Sequence, residues 1–131
     1  MWIASKLGFF SIVQKEGCYH VRARARQDLV NLCRKVCLRN SLIEEWPDAD
    51  YRWRLRVDYT ELSGVFEALT DSIDYPNFKN QVAADPGQAP KLPAYSQLWS
   101  SIHRLQQQQT VDGLTDDTST ASPIRRGRQL R

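Results

Sequence analysis

The sequence predicts an α+β fold: a two-layer sandwich of the ferredoxin-like ββα-ββα type, with an antiparallel sheet, helices on one face and a further C-terminal helix. Segments such as "VRARAR" and "YRWRLRV" alternate between polar and apolar residues, which indicates strands. Segments such as "DLVNLCRKVCL" place apolar residues three and four positions apart, which indicates amphipathic helices. Because the two periods follow one another along the chain, one sheet covered by helices is expected.

Length and composition fit one globular domain with a weak preference for anionic partners. The chain has 131 residues, 41% of them hydrophobic, and a net charge of +3. The cysteine count of three is odd, and neither an export signal nor a membrane-length apolar run is seen. We therefore expect a cytoplasmic protein with free thiols and no membrane association. We place one domain at residues 1–109 and a disordered polar tail at 110–131, which ends in the basic residues Arg125, Arg126 and Arg128.

The first half of the chain predicts four strands and one helix. "WIASKLGFFSIVQKEG" is expected to be a strand with a kink or bulge at Gly8, and "CYHVRARAR" its hairpin partner. The helix "DLVNLCRKVCL" follows, with Asp28 as the predicted N-cap. "SLIEEW" is a short strand, "PDAD" is a turn, and "YRWRLRV" is the fourth strand.

The second half predicts helices only. Asp58 and Glu61 form a capping box for a helix that carries Leu62, Val65, Phe66, Leu69 and Ile73. "YPNFKNQVAA" is expected to be a short helix and "DPGQAPKLP" a loop. The last helix, "AYSQLWSSIHRLQQQ", places Leu98, Ile102 and Leu105 on one stripe.

The chain matches itself after a shift of thirty residues, which predicts an internal repeat of residues 11–36 and 41–66. The identical pairs are Ser11/Ser41, Arg22/Arg52, Arg24/Arg54, Arg26/Arg56, Asp28/Asp58 and Leu32/Leu62. The alternative, that two alternating strands both contain arginine by chance, stays open.

Arginines at every second position of two strands predict a basic sheet face. Alternation sends Arg22, Arg24 and Arg26, and likewise Arg52, Arg54 and Arg56, away from the apolar side. Guanidinium groups bind phosphate and stack on bases, so we expect an anion-binding surface that also includes Lys6. Phe9 or Phe10 would supply a stacking ring, because one of two consecutive strand residues must leave the core side.

Three interpretations of this face stay open. It binds nucleic acid or another polyanion, which is our leading hypothesis for a non-enzymatic binding module. It is instead covered by a helix, by a partner protein or by a second copy of the chain, as in an interaction or regulatory module. It is otherwise a solvated face on which Glu44 or Glu45 pairs with the arginines. An enzyme with an acid site built from loops is the third functional hypothesis.

Metal and catalytic patterns are weak. Cys18, His20, Cys33 and Cys37 lack the tight spacing of structural zinc sites, and cysteines four residues apart on a helix are typical of core packing. Nucleotide-binding glycine loops and the nucleophile-elbow motif are not found in the sequence. We therefore predict no metal, no cofactor and no catalytic residue.

Several sequence boxes occur in one order: the Met-Trp start, "KLGFFS", "VRAR", "DYRWR" and "DYPNFK". Together they resemble a widespread family of short uncharacterised bacterial proteins, over roughly residues 1–105. The resemblance implies no assigned activity. Pro76 stands where the pattern of that family predicts a small polar residue, which leaves the local helix start open. Residues that match the pattern are Lys6, Phe9, Phe10, Ser11, Arg22, Arg24, Tyr51, Arg52, Asn77, Phe78 and Lys79.

Overall fold

The computed structural model describes residues 1–113 and confirms the α+β class with an antiparallel sheet. The chain forms two compact units, Met1–Leu92 and a second unit that begins at Pro93. All strands and three of the four α-helices lie in the first unit. The predicted tail with its three arginines lies outside the described residues from position 114 onward.

The sheet has five strands in the order β1-β2-β3-β5-β4, and every neighbouring pair is antiparallel. Its strands are β1 Trp2–Ala4, β2 Phe9–Lys15, β3 Cys18–Ala23, β4 Glu44–Glu45 and β5 Trp53–Val57. The two arginine-bearing strands, β3 and β5, are therefore direct neighbours.

Four α-helices and two short 3-10 turns complete the described chain. The helices are α1 Arg26–Val36, α2 Tyr59–Asp71, α3 Phe78–Ala84 and α4 Leu92–Gly113. The turns span Asn40–Leu42 and Ala89–Lys91. Residues 110–113, which we had placed in the tail, belong to α4.

The first predicted strand is two strands. The chain reverses at residues 5–8, where Ser5 and Gly8 exchange backbone hydrogen bonds of 3.0 and 3.2 Å. Trp2 thereby lies opposite Ser11, and β1 becomes an edge strand. The prediction of a kink or bulge at Gly8 was thus wrong, because the glycine closes a reversal between two strands and does not bend a single strand.

The core lies between the sheet and helices α1 and α2. Phe10, Val21 and Leu55 project from the sheet and are fully buried, as are Leu29 and Val65 on the two helices. This arrangement leaves the opposite sheet face, called here the outer face, without cover from α1 and α2.

Two helix N-caps were predicted from the sequence, and one of them is confirmed. The side chain of Asp58 accepts from the Glu61 backbone at 2.8 Å and Glu61 reciprocates, which confirms the capping box. The prediction of Asp28 as an N-cap was wrong: α1 begins at Arg26, after Ala25, which makes no side-chain cap. Asp28 is the third residue of α1, within its first turn, and is buried.

Helix α4 exposes much of its predicted apolar stripe. Leu98, Ile102 and Leu105 are all solvent-exposed, and the ring of Trp99 stacks on His103 with 4.9 Å between centroids. Within residues 1–113, no helix combines the length and the apolar character that crossing a bilayer would require.

Candidate functional site

One cross-strand row spans the outer face from edge to edge. Consecutive Cα partners run Trp2, Ser11, Arg22, Arg54 and Glu44 across β1, β2, β3, β5 and β4. Residues directly opposite each other in a sheet project to the same face, with strands about 4.8 Å apart. An aromatic side chain, a hydroxyl group, two guanidinium groups and a carboxylate therefore follow one another in a line.

The two guanidinium groups in this row are hydrogen-bonded to neutral groups only. Arg22 donates from Nη2 to Ser11 Oγ at 2.7 Å. Arg54, which is only 2% exposed, donates from Nη2 to the Tyr51 carbonyl at 3.3 Å and bonds His20 Nδ1 through Nη1 at 3.2 Å. The Nε atoms of both arginines are buried without a hydrogen-bond partner among the described residues. Neither arginine forms an ion pair within residues 1–113.

Two aromatic rings cover this pair. The ring centre of Trp46 lies 3.8 Å from the Arg54 guanidinium carbon. The Tyr51 ring centre lies 4.7 Å from the guanidinium carbon of Arg22 and 4.4 Å from that of Arg24. Both rings lie in the loop that joins β4 to β5, residues 46–52, here called the aromatic loop. A loop of the chain itself therefore covers the middle of the outer face.

His20 completes the buried cluster and is neutral by its surroundings. Its Nδ1 faces an arginine donor, so it accepts there and the ring proton sits on Nε2. Burial lowers the pKa of His20, and the positive charges of Lys15 and Arg54 lower it further. The negative charge of Glu16 acts in the opposite direction and raises the pKa; its carboxylate oxygen lies 3.8 Å from His20 Nε2.

The pKa of Arg54 is also lowered, in part by the like charge of a neighbouring arginine. Burial lowers its pKa first and the neighbouring charge of Arg22 lowers it next, while Glu44 and Glu16 act in the opposite direction. Arg54 is thus held as a buried cation beside a second cation, a costly arrangement without an anion.

Three other predicted arginines form ion pairs. Arg24 lies 3.4 Å from Asp50, Arg52 Nε donates to Glu45 at 2.8 Å, and Arg56 bonds both oxygens of Glu44 at 2.7 and 2.9 Å. The hydrogen bond and charge of Glu44 raise the pKa of Arg56. Pairing by acidic residues of the neighbouring strand therefore accounts for Arg52 and Arg56, but not for Arg22 and Arg54.

The remaining predicted site residues lie elsewhere or at the margin. Arg26 opens α1, where the chain has left the sheet, and approaches the ring of Trp53 at 6.0 Å. Lys6 is paired with Asp74 at 2.7 Å, and its hydrogen bond lowers the pKa of that carboxyl. Phe10 is in the core.

Phe9 is the ring that leaves the core side. It shares the outer face with Trp2, and their ring centroids lie 6.4 Å apart. Trp2 is 69% exposed. The two rings form a small aromatic platform at the β1 end of the row that carries Arg22.

The cysteines are dispersed. Cys33 is buried in the core, where burial raises the pKa of its thiol, whereas Cys37 is exposed at the C-cap of α1. In the part of the chain that the structure describes, no group of three or more potential metal ligands is gathered.

Sequence reasoning did not identify Trp2, His20 or Trp46 as parts of this site. Alternation does place His20 on the same face as Arg22, so the histidine could have been included. Trp46 lies outside any regular strand, and no periodicity reports where its ring goes.

Comparisons of the chain with protein-family models, with curated proteins and with solved structures give no match. The family resemblance drawn from the sequence boxes therefore stays a prediction.

Proposed function

We propose that the protein is a non-enzymatic module that binds single-stranded nucleic acid on its outer face. The observation that carries this proposal is the cross-strand row in which Trp2 and Arg22 flank Ser11, with Phe9 beside them. Single-strand binders commonly combine aromatic rings, on which bases stack, with basic side chains that follow the backbone.

The exposed and buried groups would have different roles. Trp2 and Phe9 offer the stacking surface, and Arg24, which is largely exposed, together with half-buried Arg22 reaches the phosphates. Arg24 donates to the Asp50 carbonyl and lies against the Tyr51 ring, but its ion pair with the exposed Asp50 carboxylate is long, so a phosphate can replace that carboxylate at small cost. The net charge of +3 adds a modest long-range attraction.

A fluorescence-anisotropy titration with a labelled mixed-sequence 20-mer, as RNA and as single-stranded DNA, tests the proposal at two salt concentrations. Binding should weaken with salt, because phosphate contacts release counterions. Arg22→Met/Arg24→Met should weaken it strongly. Arg34→Met/Lys35→Met removes the same charge from exposed positions of α1 and should weaken it far less.

Stacking and the basic tail need separate variants. Trp2→Ala should weaken binding about tenfold if one base stacks there. Trp99→Ala, which removes an exposed tryptophan from α4, is its control. Replacing Arg125, Arg126 and Arg128 by Gln tests the tail. Equal loss in both charge-matched pairs, or loss only in the tail variant, would refute the outer face as the binding surface.

A further inference from the structure

We infer that Arg22 and Arg54 form a site for one terminal phosphate group, carried at the end of the bound strand. The inference rests on the proposed binding of single-stranded nucleic acid and names the chemical group that Arg22 and Arg54 would bind within that interface. The same chemistry is offered by free inorganic phosphate, so the two sources need separate tests.

Unused hydrogen-bond donors are the first support. Arg22 and Arg54 are Cα partners on neighbouring strands and share the outer face. Each has a buried Nε–H group for which the described residues provide no acceptor. Buried polar groups in folded proteins are nearly always paired, and two such donors side by side offer hydrogen bonds to a ligand with several acceptor oxygens.

Charge balance selects the kind of anion. Two guanidinium groups carry two positive charges. Three of the carboxylates near this face are bound to Arg24, Arg52 and Arg56, and that of Glu16 lies 3.8 Å from His20 rather than in an ion pair with either arginine. A phosphate monoester carries nearly two negative charges at neutral pH, whereas a carboxylate or an internal phosphodiester carries one. Its several acceptor oxygens also suit the forked donors of two arginines. The like-charge effect of Arg22 on Arg54 is the cost that such a dianion would remove.

Limited access to the two arginines favours a phosphate at the end of a nucleic-acid strand over an internal one. Arg22 is half-buried, but Trp46 covers the guanidinium group of the buried Arg54, so a ligand contacts both arginines only when the aromatic loop moves aside. An internal phosphate carries nucleotides on both sides, and both would have to pass beneath the rings of this loop. A terminal phosphate needs room on one side only, and the strand can leave toward Trp2 and Phe9 along the row.

NMR of the arginine Nε–H groups in the full-length protein tests the phosphate site directly, using inorganic phosphate alone. Added phosphate should shift the resonances of Arg22 and Arg54 downfield in a saturable manner, and chloride at equal ionic strength should not. Absence of a phosphate-specific shift would overturn the site.

Oligonucleotide ends test the source of the phosphate. The full-length protein should bind a 20-mer with a 5′- or 3′-phosphate about tenfold more tightly than the same strand with hydroxyl ends. Arg54→Met should abolish this preference. Arg56→Met, which makes the same charge change two residues along β5, should keep it. Circular dichroism and thermal unfolding verify that each variant is folded, and the NMR test on the unaltered chain does not depend on them.

The outcomes separate the two proposals. Equal affinity for phosphorylated and hydroxyl ends would overturn the terminal-phosphate inference and leave the proposed interface in place. A saturable phosphate shift without binding of any oligonucleotide would overturn the proposed function, and with it the strand end as the source. Free phosphate would then be the ligand of the site.

Discussion

The indole ring of Trp46 lies over the guanidinium group of Arg54, with 3.8 Å between the ring centre and Cζ. The same ring meets His20 edge-on, with 5.9 Å between centroids. One side chain of the aromatic loop thus excludes water from two titratable groups. Because the ring belongs to a loop between two strands, the polarity of this cluster depends on the position of that loop.

Removing the Trp46 ring should therefore raise the pKa of His20. Burial is the largest cause that lowers this pKa from its usual value of 6.5, and Trp46→Ala would admit water to the imidazole. NMR titration of the His20 ring protons measures the change. Trp2→Ala removes an equally large ring from an exposed position and should leave the titration unchanged. An unchanged His20 titration in Trp46→Ala would contradict the assigned cover.

The lowered pKa of His20 also predicts how stability depends on pH. In the folded protein the imidazole resists protonation, so between the folded pKa and 6.5 the unfolded chain binds more protons. The free energy of unfolding should therefore fall as the pH is lowered from 7 through 6.5, and should recover as the pH is raised again.

Urea unfolding at pH 7.0 and pH 5.5 measures this dependence, and His20→Gln should reduce the difference between the two values. Gln keeps an acceptor for Arg54 and cannot titrate. The positive charges of Lys15, Arg54 and Arg56 disfavour the protonated imidazole, and the negative charge of Glu16 favours it. The measured change of stability with pH includes the effects of all four groups. A steeper loss of stability in His20→Gln would show that another group dominates.

The sequence predicts correctly those elements that local residue patterns alone determine. Alternation located β3 and β5, and the Asp58/Glu61 spacing located the start of α2, because both depend on neighbours within a few residues. The split of the first strand was missed. It depends on a backbone reversal at Ser5–Gly8 that packs against Asp28, a contact between residues twenty positions apart.

The arginine face was only partly predictable for a similar reason. The prediction that Arg26 lies on the sheet face extends the alternation of β3 as far as that residue. In the structure the strand ends at Ala23, and α1 begins at Arg26. Strand pairing places Arg54 between Arg22 and Glu44, although the Glu44 side chain bonds Arg56 two residues along β5, and no local pattern contains that register. The composition of "PDAD" predicts a turn there, but it does not contain the position of the Trp46 and Tyr51 rings over the arginines.

Gly8→Ala should destabilise the protein by about 2–4 kcal/mol, an effect beyond ordinary overpacking. A Cβ at position 8 would lie 2.3 Å from Asp28 Cβ, so the reversal and the helix could not both keep their positions. Gly64→Ala is the control, since its Cβ would meet no atom within 4 Å and helix propensity favours alanine there. Urea unfolding should show loss in the first variant and a gain of about 0.5–1 kcal/mol in the second.

Asp58→Ala should cost about 1 kcal/mol of stability, because it removes the capping box at the start of α2. Asp58→Ser retains an acceptor for the Glu61 backbone and should recover most of the loss. Urea unfolding of the three proteins under one condition compares them. Equal loss in the serine and alanine variants would show that the charge of the carboxylate, rather than its hydrogen bond, carries the effect.

Asp28 should prove to be the most sensitive polar residue of the first unit, since three donors converge on its buried carboxylate. The Phe9 backbone, Gln88 Nε2 and Lys91 Nζ donate to it at 3.2, 3.1 and 2.8 Å. Asp28→Ala leaves these donors without an acceptor, including a largely buried ammonium group, and should cost about 3–5 kcal/mol.

Asp74→Ala is the matched control for Asp28→Ala, because Asp74 is also paired with a lysine but is exposed. Water and salt screen such a pair, so its loss should change stability little. Urea unfolding of both variants, with hydrogen exchange at residues 88–91, distinguishes the two pairs. Asp28→Ala should accelerate exchange at 88–91, because Asp28 holds that segment against β2. Normal protection there would show that apolar packing alone holds the segment in place.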